Sequence, residues 1–205
     1  MDAFAISAQK IALTLPHRFT LIKSSPTSSP YLQLPPFALP PPSPSDNDPL
    51  LSLSSQNLLP DPSLLPPTPS TSTPDPSPTC HISITFSETW SAPVLYFHLL
   101  DPSPTQSQTP THINNRSVAL QLLNLSPDDP RTYEIASMEY HPHTQVPSFF
   151  LHPCKTNETV AALTSQSQQN PPTPLLSFLN LNLKLFPNQN LTLNEIQALM
   201  NAMNK

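Results

Sequence analysis

Proline and glycine set where a backbone can bend, and their use here restricts every element the chain can form: 31 prolines and no glycine in 205 residues. Proline has no N–H to donate and a fixed φ, so this number of prolines must gather in loops and extended tracts rather than in helices and central strands. They do so from Pro35 to Thr79, through Pro40-Pro41-Pro42 and Pro66-Pro67. The leucines of that stretch come in pairs without a sustained period. Residues 35–79 therefore read as a long disordered Pro/Ser-rich insertion, too poor in burial to offset the entropy of ordering it. A shorter Ser/Gln/Pro tract at 164–174 reads as a flexible link. What remains is about 130–150 residues, enough for one core, and 1–205 is expected to be a single domain. At average usage about 14 glycines would be present. Without them, turns that need positive φ fall to Asn, Asp or strained residues.

Outside the proline tracts the hydrophobic pattern is legible. Phe4, Ala8, Ile11 and Leu13 suggest a short N-terminal helix ending before Pro16. Arg18 to Lys23 and Tyr31 to Leu34 suggest short strands. From Cys80, the apolar Ile82, Ile84 and Phe86 alternate with Ser83, Thr85 and Ser87, the period of a half-buried strand. Val94 to Leu99 follows across the five-residue bridge Glu88 to Ala92 and Pro93, so the pair reads as a hairpin with Pro93 admissible only near the start of its second strand. Val118 to Leu125 is predicted helical, and Leu175 to Phe186 fits either helix or strand. Thr192 with Glu195 makes a capping box. It opens a C-terminal helix whose Leu193, Ile196, Leu199, Met200 and Met203 line one face, predicted to dock on the body. Strands first and helices last indicate an α+β protein.

Net charge is −5, with eight scattered basic residues and no cluster. That argues against nucleic acid and anionic membrane, both of which need a concentrated basic footprint. No apolar run reaches the length of a spanning helix, and Met1 to Lys10 lacks the form of a secretory signal. A cytoplasmic location is expected. Two cysteines, Cys80 and Cys154, make no disulfide framework.

Cys154 sits at a change of character. Ser148-Phe149-Phe150-Leu151 is apolar enough to enter a core, whereas Lys155-Thr156-Asn157-Glu158 is polar, and Pro153 stiffens the approach. A thiol at such a boundary can meet a large partner, and Lys155 and His152 would favour its thiolate. A buried structural cysteine is the competing reading on spacing alone. Cys80, which opens a strand, is assigned no role. His141, His143, His152 and Cys154 lack the compact spacing of a zinc site, so neither a metal nor a cofactor is expected.

Glu139-Tyr140-His141-Pro142, then Pro147-Ser148-Phe149-Phe150-Leu151-His152-Pro153-Cys154-Lys155-Thr156-Asn157-Glu158, resembles the signature of the autophagy-related protein 10 family. Ala92-Pro93-Val94-Leu95-Tyr96-Phe97 resembles the family's upstream hairpin strand. The resemblance covers about residues 80 to 160. It implies an α+β, ubiquitin-conjugating-enzyme-like antiparallel sheet with flanking helices, and it makes Cys154 the catalytic residue. It also implies partners. Cys154 would receive autophagy-related protein 12 as a thioester from the activating enzyme, autophagy-related protein 7, and pass it to a lysine of autophagy-related protein 5. Both steps are acyl transfers that need a thiolate, a stabilised oxyanion and a deprotonated amine. Asn114, Asn115 and Asn157 are candidate donors, none of them singled out. The alternatives are the sister enzyme that lipidates autophagy-related protein 8, which also carries His-Pro-Cys, and an inactive interaction module of the same fold.

Overall fold

A computed structural model describes residues 3–23, 28–39, 77–101, 111–123, 135–151, 160 and 173–204. In chain order the elements are α1 (Ala3–Thr14), β1 (Thr20–Ile22), β2 (Tyr31–Gln33), β3 (Phe37–Ala38), β4 (Thr79–Ser87), β5 (Ala92–Asp101), β6 (Thr111–His112), α2 (Arg116–Leu122), β7 (Ile135–Tyr140), β8 (Pro147–Leu151), α3 (Pro174–Asn182), a 3-10 turn (Leu183–Leu185) and α4 (Leu193–Met203). The strands form one antiparallel sheet in the order β1-β2-β4-β5-β8-β7, with β3 paired to β4 and β6 to β5. The protein is α+β, with helices packed on one face of the sheet.

The centre is the hairpin predicted from alternation. β4 and β5 pair over nine positions, from Thr79↔Leu100 to Ser87↔Ala92. Because side chains alternate between faces, Cys80, Ile82 and Ile84 on β4 and Leu95, Phe97 and Leu99 on β5 enter the main core. Phe97 stacks on Phe149 of β8 at 5.4 Å and meets Phe186 edge-on at 5.2 Å, so sheet and C-terminal helices close around one ring. Pro93 is the second residue of β5 and Pro147 the first of β8, where a missing N–H disturbs the ladder least.

The proline boundary is sharper than composition suggested. Phe37–Ala38 pairs with Cys80 and Thr79 as β3, and Leu39 is buried, so ordered pairing reaches into the stretch from 35. At its other end Thr79 already opens β4; residues 40–76 lie outside the described residues, as does 164–172 of the second link. The ambiguous run from Leu175 is helical. Thr173 caps it by accepting from the Leu176 N–H, and Pro174 occupies its first turn, where proline loses nothing.

Two facial assignments differ from the pattern. Leu13 on α1 is 74% exposed and Leu193 on α4 is 81% exposed. On α1 the stripe facing the core is Phe4, Ala8, Ile11 and then Leu15, a spacing of four, three and four that turns Leu13 outward. On α4 the buried stripe is Leu199 with Ile196, Met200 and Met203 beside it, and Leu193 projects from the first turn. The capping box itself is present in both directions, with Thr192 N donating to Glu195 Oε2 at 2.7 Å and Glu195 N donating to Thr192 Oγ1 at 3.3 Å.

The same Glu195 ties the two ends of the chain together. Arg18 Nη1 lies 3.2 Å from both of its carboxylate oxygens and also donates to Asn190 O, while Nη2 donates to Gln189 O at 2.8 Å. Lys10 Nζ donates to Met203 O at 3.3 Å. Burial works against the Glu195 carboxylate, but hydrogen bonds from Thr192 and the charge of Arg18 outweigh it and hold its pKa below the ordinary value. Replacing Glu195 by Ala removes cap and anchor together. A loss of about 1–2 kcal/mol is expected in urea unfolding, with an unchanged m-value.

Lacking glycine, the chain uses other residues at positive φ: Ser91 (50°), Gln145 (58°) and Asn188 (59°) among the described residues. Asn tolerates this region, whereas Ser and Gln carry a steric cost there. Ser91 closes the four-residue β4–β5 turn, its N–H donating to Glu88 O. Ser91→Gly is therefore expected to raise stability by about 0.5–1 kcal/mol, measured by thermal unfolding.

Candidate active site

The face of the sheet turned away from the helices is built by the other half of the β4–β5 alternation. His81, Ser83 and Thr85 of β4 and Val94, Tyr96 and His98 of β5 stand on it, with Tyr31 of β2 and Phe150 of β8. Val94, Tyr96 and Phe150 form a small second apolar cluster there. Over it folds the connection from β7 to β8, His141 to Val146, closed by the bonds His141 N to Val146 O and Gln145 N to His141 O, both 2.9 Å.

His141 is 2% exposed, and each of its ring nitrogens is engaged. Nδ1 accepts the backbone N–H groups of His143 at 3.2 Å and Thr144 at 3.1 Å. A nitrogen that accepts carries no proton, so the neutral ring bears its hydrogen on Nε2. Nε2 lies 2.9 Å from Ser83 Oγ and donates to it. The ring is flanked edge-on by Tyr31 at 5.4 Å and Tyr96 at 5.1 Å. His143 follows the same plan, its Nε2 lying 3.1 Å from Thr85 Oγ1 and its ring stacked on Tyr31 at 4.9 Å. Between β7 and β4 stand three strand spacings, roughly 14 Å at about 4.8 Å each. The turn thus folds back across the sheet to reach partners far from its own strand.

Burial, and then the neighbouring His143, lower the His141 pKa to about 4. His143 is lowered by burial. A second group of imidazoles continues the face, with His81 stacked on His98 at 4.6 Å and His98 tilted against His112 at 5.6 Å. Burial is again the largest cause, and together with the charges of His81, His112 and His141 it lowers His98 to about 4. Tyr96 is pushed up by burial and by Glu139. Burial thus favours the neutral form of His81, His98, His141 and His143 on this face, beside the Glu139 carboxylate that acts on Tyr96. Among the described residues no group of three or more ligands converges on a point where a metal could sit.

Cys154, with His152, Lys155 and Asn157, lies outside the described residues. β8 ends at Leu151, three positions before the cysteine. Cys80, by contrast, is wholly buried in the core, and burial pushes its thiol pKa far up, leaving it without thiolate at neutral pH. Of the other candidates, Asn115 accepts the Ser117 N–H at 2.9 Å and so serves the start of α2, while Asn114 is exposed. Sequence reasoning named His141 as a motif residue and weighed His143 only as a metal ligand, and it missed Ser83, Thr85, Tyr31 and Tyr96 as their partners. The alternation placed Ser83 and Thr85 off the core, and that was the available signal.

The family described as autophagocytosis associated protein, active-site domain, matches residues 44–192, roughly three quarters of the chain. The chain belongs to this family. It is an autophagy E2-like conjugating-enzyme domain, of the kind shared by autophagy-related proteins 10 and 3. No curated protein matches it with significance. Among the described residues, no helix of this domain is long and apolar enough to cross a membrane.

The lowered histidines give the domain a defined acid sensitivity. A histidine near 4 in the folded state and near 6.5 unfolded binds fewer protons when folded between those values, so stability rises with pH there. Stability is expected to be full above about pH 6.5 and to fall toward pH 4, then level off as far as these groups are concerned. Calorimetry between pH 7 and 4 should show this, with His98→Asn flattening part of the slope.

Proposed function

We propose that this domain conjugates a ubiquitin-like protein through a thioester on Cys154, with autophagy-related protein 12 as donor, autophagy-related protein 7 as activating enzyme and a lysine of autophagy-related protein 5 as acceptor. The observation that carries the reading is the match of an autophagy active-site domain across residues 44–192. That span holds both cysteines of the chain. One of them, Cys80, is removed from candidacy by its burial in the core. Cys154 is the thiol that remains, in the stretch whose sequence resembles the family's catalytic motif.

In the first step the Cys154 thiolate attacks the thioester carbonyl of the charged activating enzyme. A new C–S bond forms, the old one breaks, and the activating enzyme's thiolate leaves. In the second, an acceptor amine attacks the same carbonyl, a C–N bond forms, Cys154 leaves as thiolate, and the amine surrenders a proton. The amine must reach the site deprotonated, which its ordinary pKa near 10.4 opposes, so a desolvated or hydrogen-bonded approach is needed. A protein lysine is favoured over a lipid amine by the state of α1. Its apolar stripe, Phe4, Ala8 and Ile11, is buried in the core, and its one cation, Lys10, is engaged with Met203 O, which leaves no basic amphipathic face for a membrane.

Incubation with autophagy-related proteins 12 and 7 and ATP, followed by a non-reducing gel, tests this. The expected product is a thiol-sensitive adduct that Cys80→Ala retains. Cys154→Ser should convert it to a thiol-resistant ester or abolish it. An intact chain that forms no adduct would sink the assignment.

A further inference from the structure

We propose that His141 is a positioning residue for acyl transfer at Cys154, holding the β7–β8 connection against β4 through both ring nitrogens, and that it is not the general base for the acceptor amine. This role rests on the reading of Cys154 as acyl carrier. A general base needs a free lone pair aimed at the proton it removes. The one lone pair of His141 lies on Nδ1 and is already shared by two backbone N–H groups, while Nε2 holds a proton pointed at Ser83. The ring is also clamped between Tyr31 and Tyr96. Turning it toward a substrate would break three hydrogen bonds and leave buried polar groups unpaired.

The need for such a latch follows from how lightly β8 is held. Among the described residues, β4 and β5 share nine paired positions and β5 and β8 share two, Tyr96↔Phe150 and Phe97↔Phe149. Beyond β8 stands β7, whose own ladder shifts register between Ile135 and Met138. The His141–Ser83 bond is a separate tie from this outer hairpin to the rigid central one. Cys154 follows the end of β8 by three residues in sequence, so what holds β8 in place bears on the segment that carries the thiol. Acyl transfer is sensitive to displacement of its reacting groups, since a shift on the order of 1 Å can cost about a hundredfold. The groups facing His141 are His143 on its own turn, Tyr31 on β2, Ser83 on β4, and Tyr96 and His98 on β5. Glu139 of β7 acts on Tyr96, but the ring nitrogens of His141 bond a hydroxyl and two backbone amides rather than a carboxylate that would orient the imidazole as a base.

Ser83→Ala removes the acceptor without touching the turn. Ser83→Thr keeps a hydroxyl, and His141→Asn keeps an oxygen at the Nδ1 position but lacks the reach to Ser83. Each full-length variant is charged with autophagy-related protein 12 by its activating enzyme, and discharge of the adduct to saturating free lysine is followed from pH 6 to 9. Discharge by Ser83→Ala and His141→Asn is expected to fall about tenfold. The double variant should be no slower than either, and the midpoint of the pH profile should stay where the wild type has it. Ser83→Thr should restore the wild-type rate. Amide exchange at Phe149 to Leu151 should quicken in the slow variants alone. Rates within twofold of wild type overturn the role, as does equal loss in Ser83→Ala and Ser83→Thr. A shifted profile in His141→Asn would make it the base and overturn the role as well. Absence of any adduct on the wild-type chain overturns the assignment of Cys154 and this role with it, whereas a wild-type adduct with full-rate discharge by the variants overturns the role alone.

Discussion

The register of the β4–β5 hairpin is the constraint on which the rest of this domain depends. Side chains on a strand alternate with a period of two, so one choice of pairing sends Cys80, Ile82 and Ile84 into the core and His81, Ser83 and Thr85 to the opposite face. A slip of one residue would exchange the two sets entirely. It would bury a histidine and two hydroxyls under the helices and expose the residues against which Phe97 and Phe149 pack. Core and candidate site are thus specified by the same pairing, and what stabilises one keeps the other in place. The four-residue turn at Glu88 to Ser91 fixes that pairing from one end, even though Ser91 must accept a backbone conformation that suits it poorly.

The second determinant is electrostatic. A face carrying His81, His98, His141 and His143 would repel itself if these rings were charged, and burial favours their neutral forms. Buried imidazoles favour the neutral form, and each neutral ring is then free to stack or to bond a hydroxyl. Neutrality also decides direction. At His141 it fixes which nitrogen donates and which accepts, so the turn and Ser83 recognise one tautomer only. Protonation of Nδ1 would set its hydrogen against two N–H groups, and burial, with His143, already lowers the pKa of this ring.

How much of this could be read from the residues alone depended on distance along the chain. The alternation from Cys80, the hairpin after Ser87, the Thr192 cap and the helical stripe from Ile196 are local patterns, and they appear as expected. The facing of Leu13 and Leu193 was misread because an apolar residue near a helix end matches a periodic stripe within one position, and only packing decides which face is buried. The partners of His141 were illegible for a stronger reason. Ser83 is 58 residues earlier, and nothing local announces that a turn at one edge of the sheet will fold back across it. The proposal of Cys154 as the site rests on the short stretch of sequence around it, whereas the contacts of the His141 turn are made by neighbours in space.

The absence of glycine and the presence of the latch are connected. Gln145 sits at φ 58° inside the β7–β8 connection, a conformation that glycine adopts freely and that costs a residue with a Cβ on the order of 1 kcal/mol. A turn strained in this way needs interactions that exclude its alternatives. Several of them come from one residue. His141 O accepts Gln145 N, and its Nδ1 accepts the two amides that the bend leaves pointing inward. The imidazole thus does for this turn what a more permissive backbone would otherwise do, and the bond to Ser83 carries the resulting shape onto the sheet. In a chain free to place glycine at this position, the connection would depend less on His141. In this one, the ring of His141 both shapes the turn and, with His143 on Thr85, attaches it to the central hairpin.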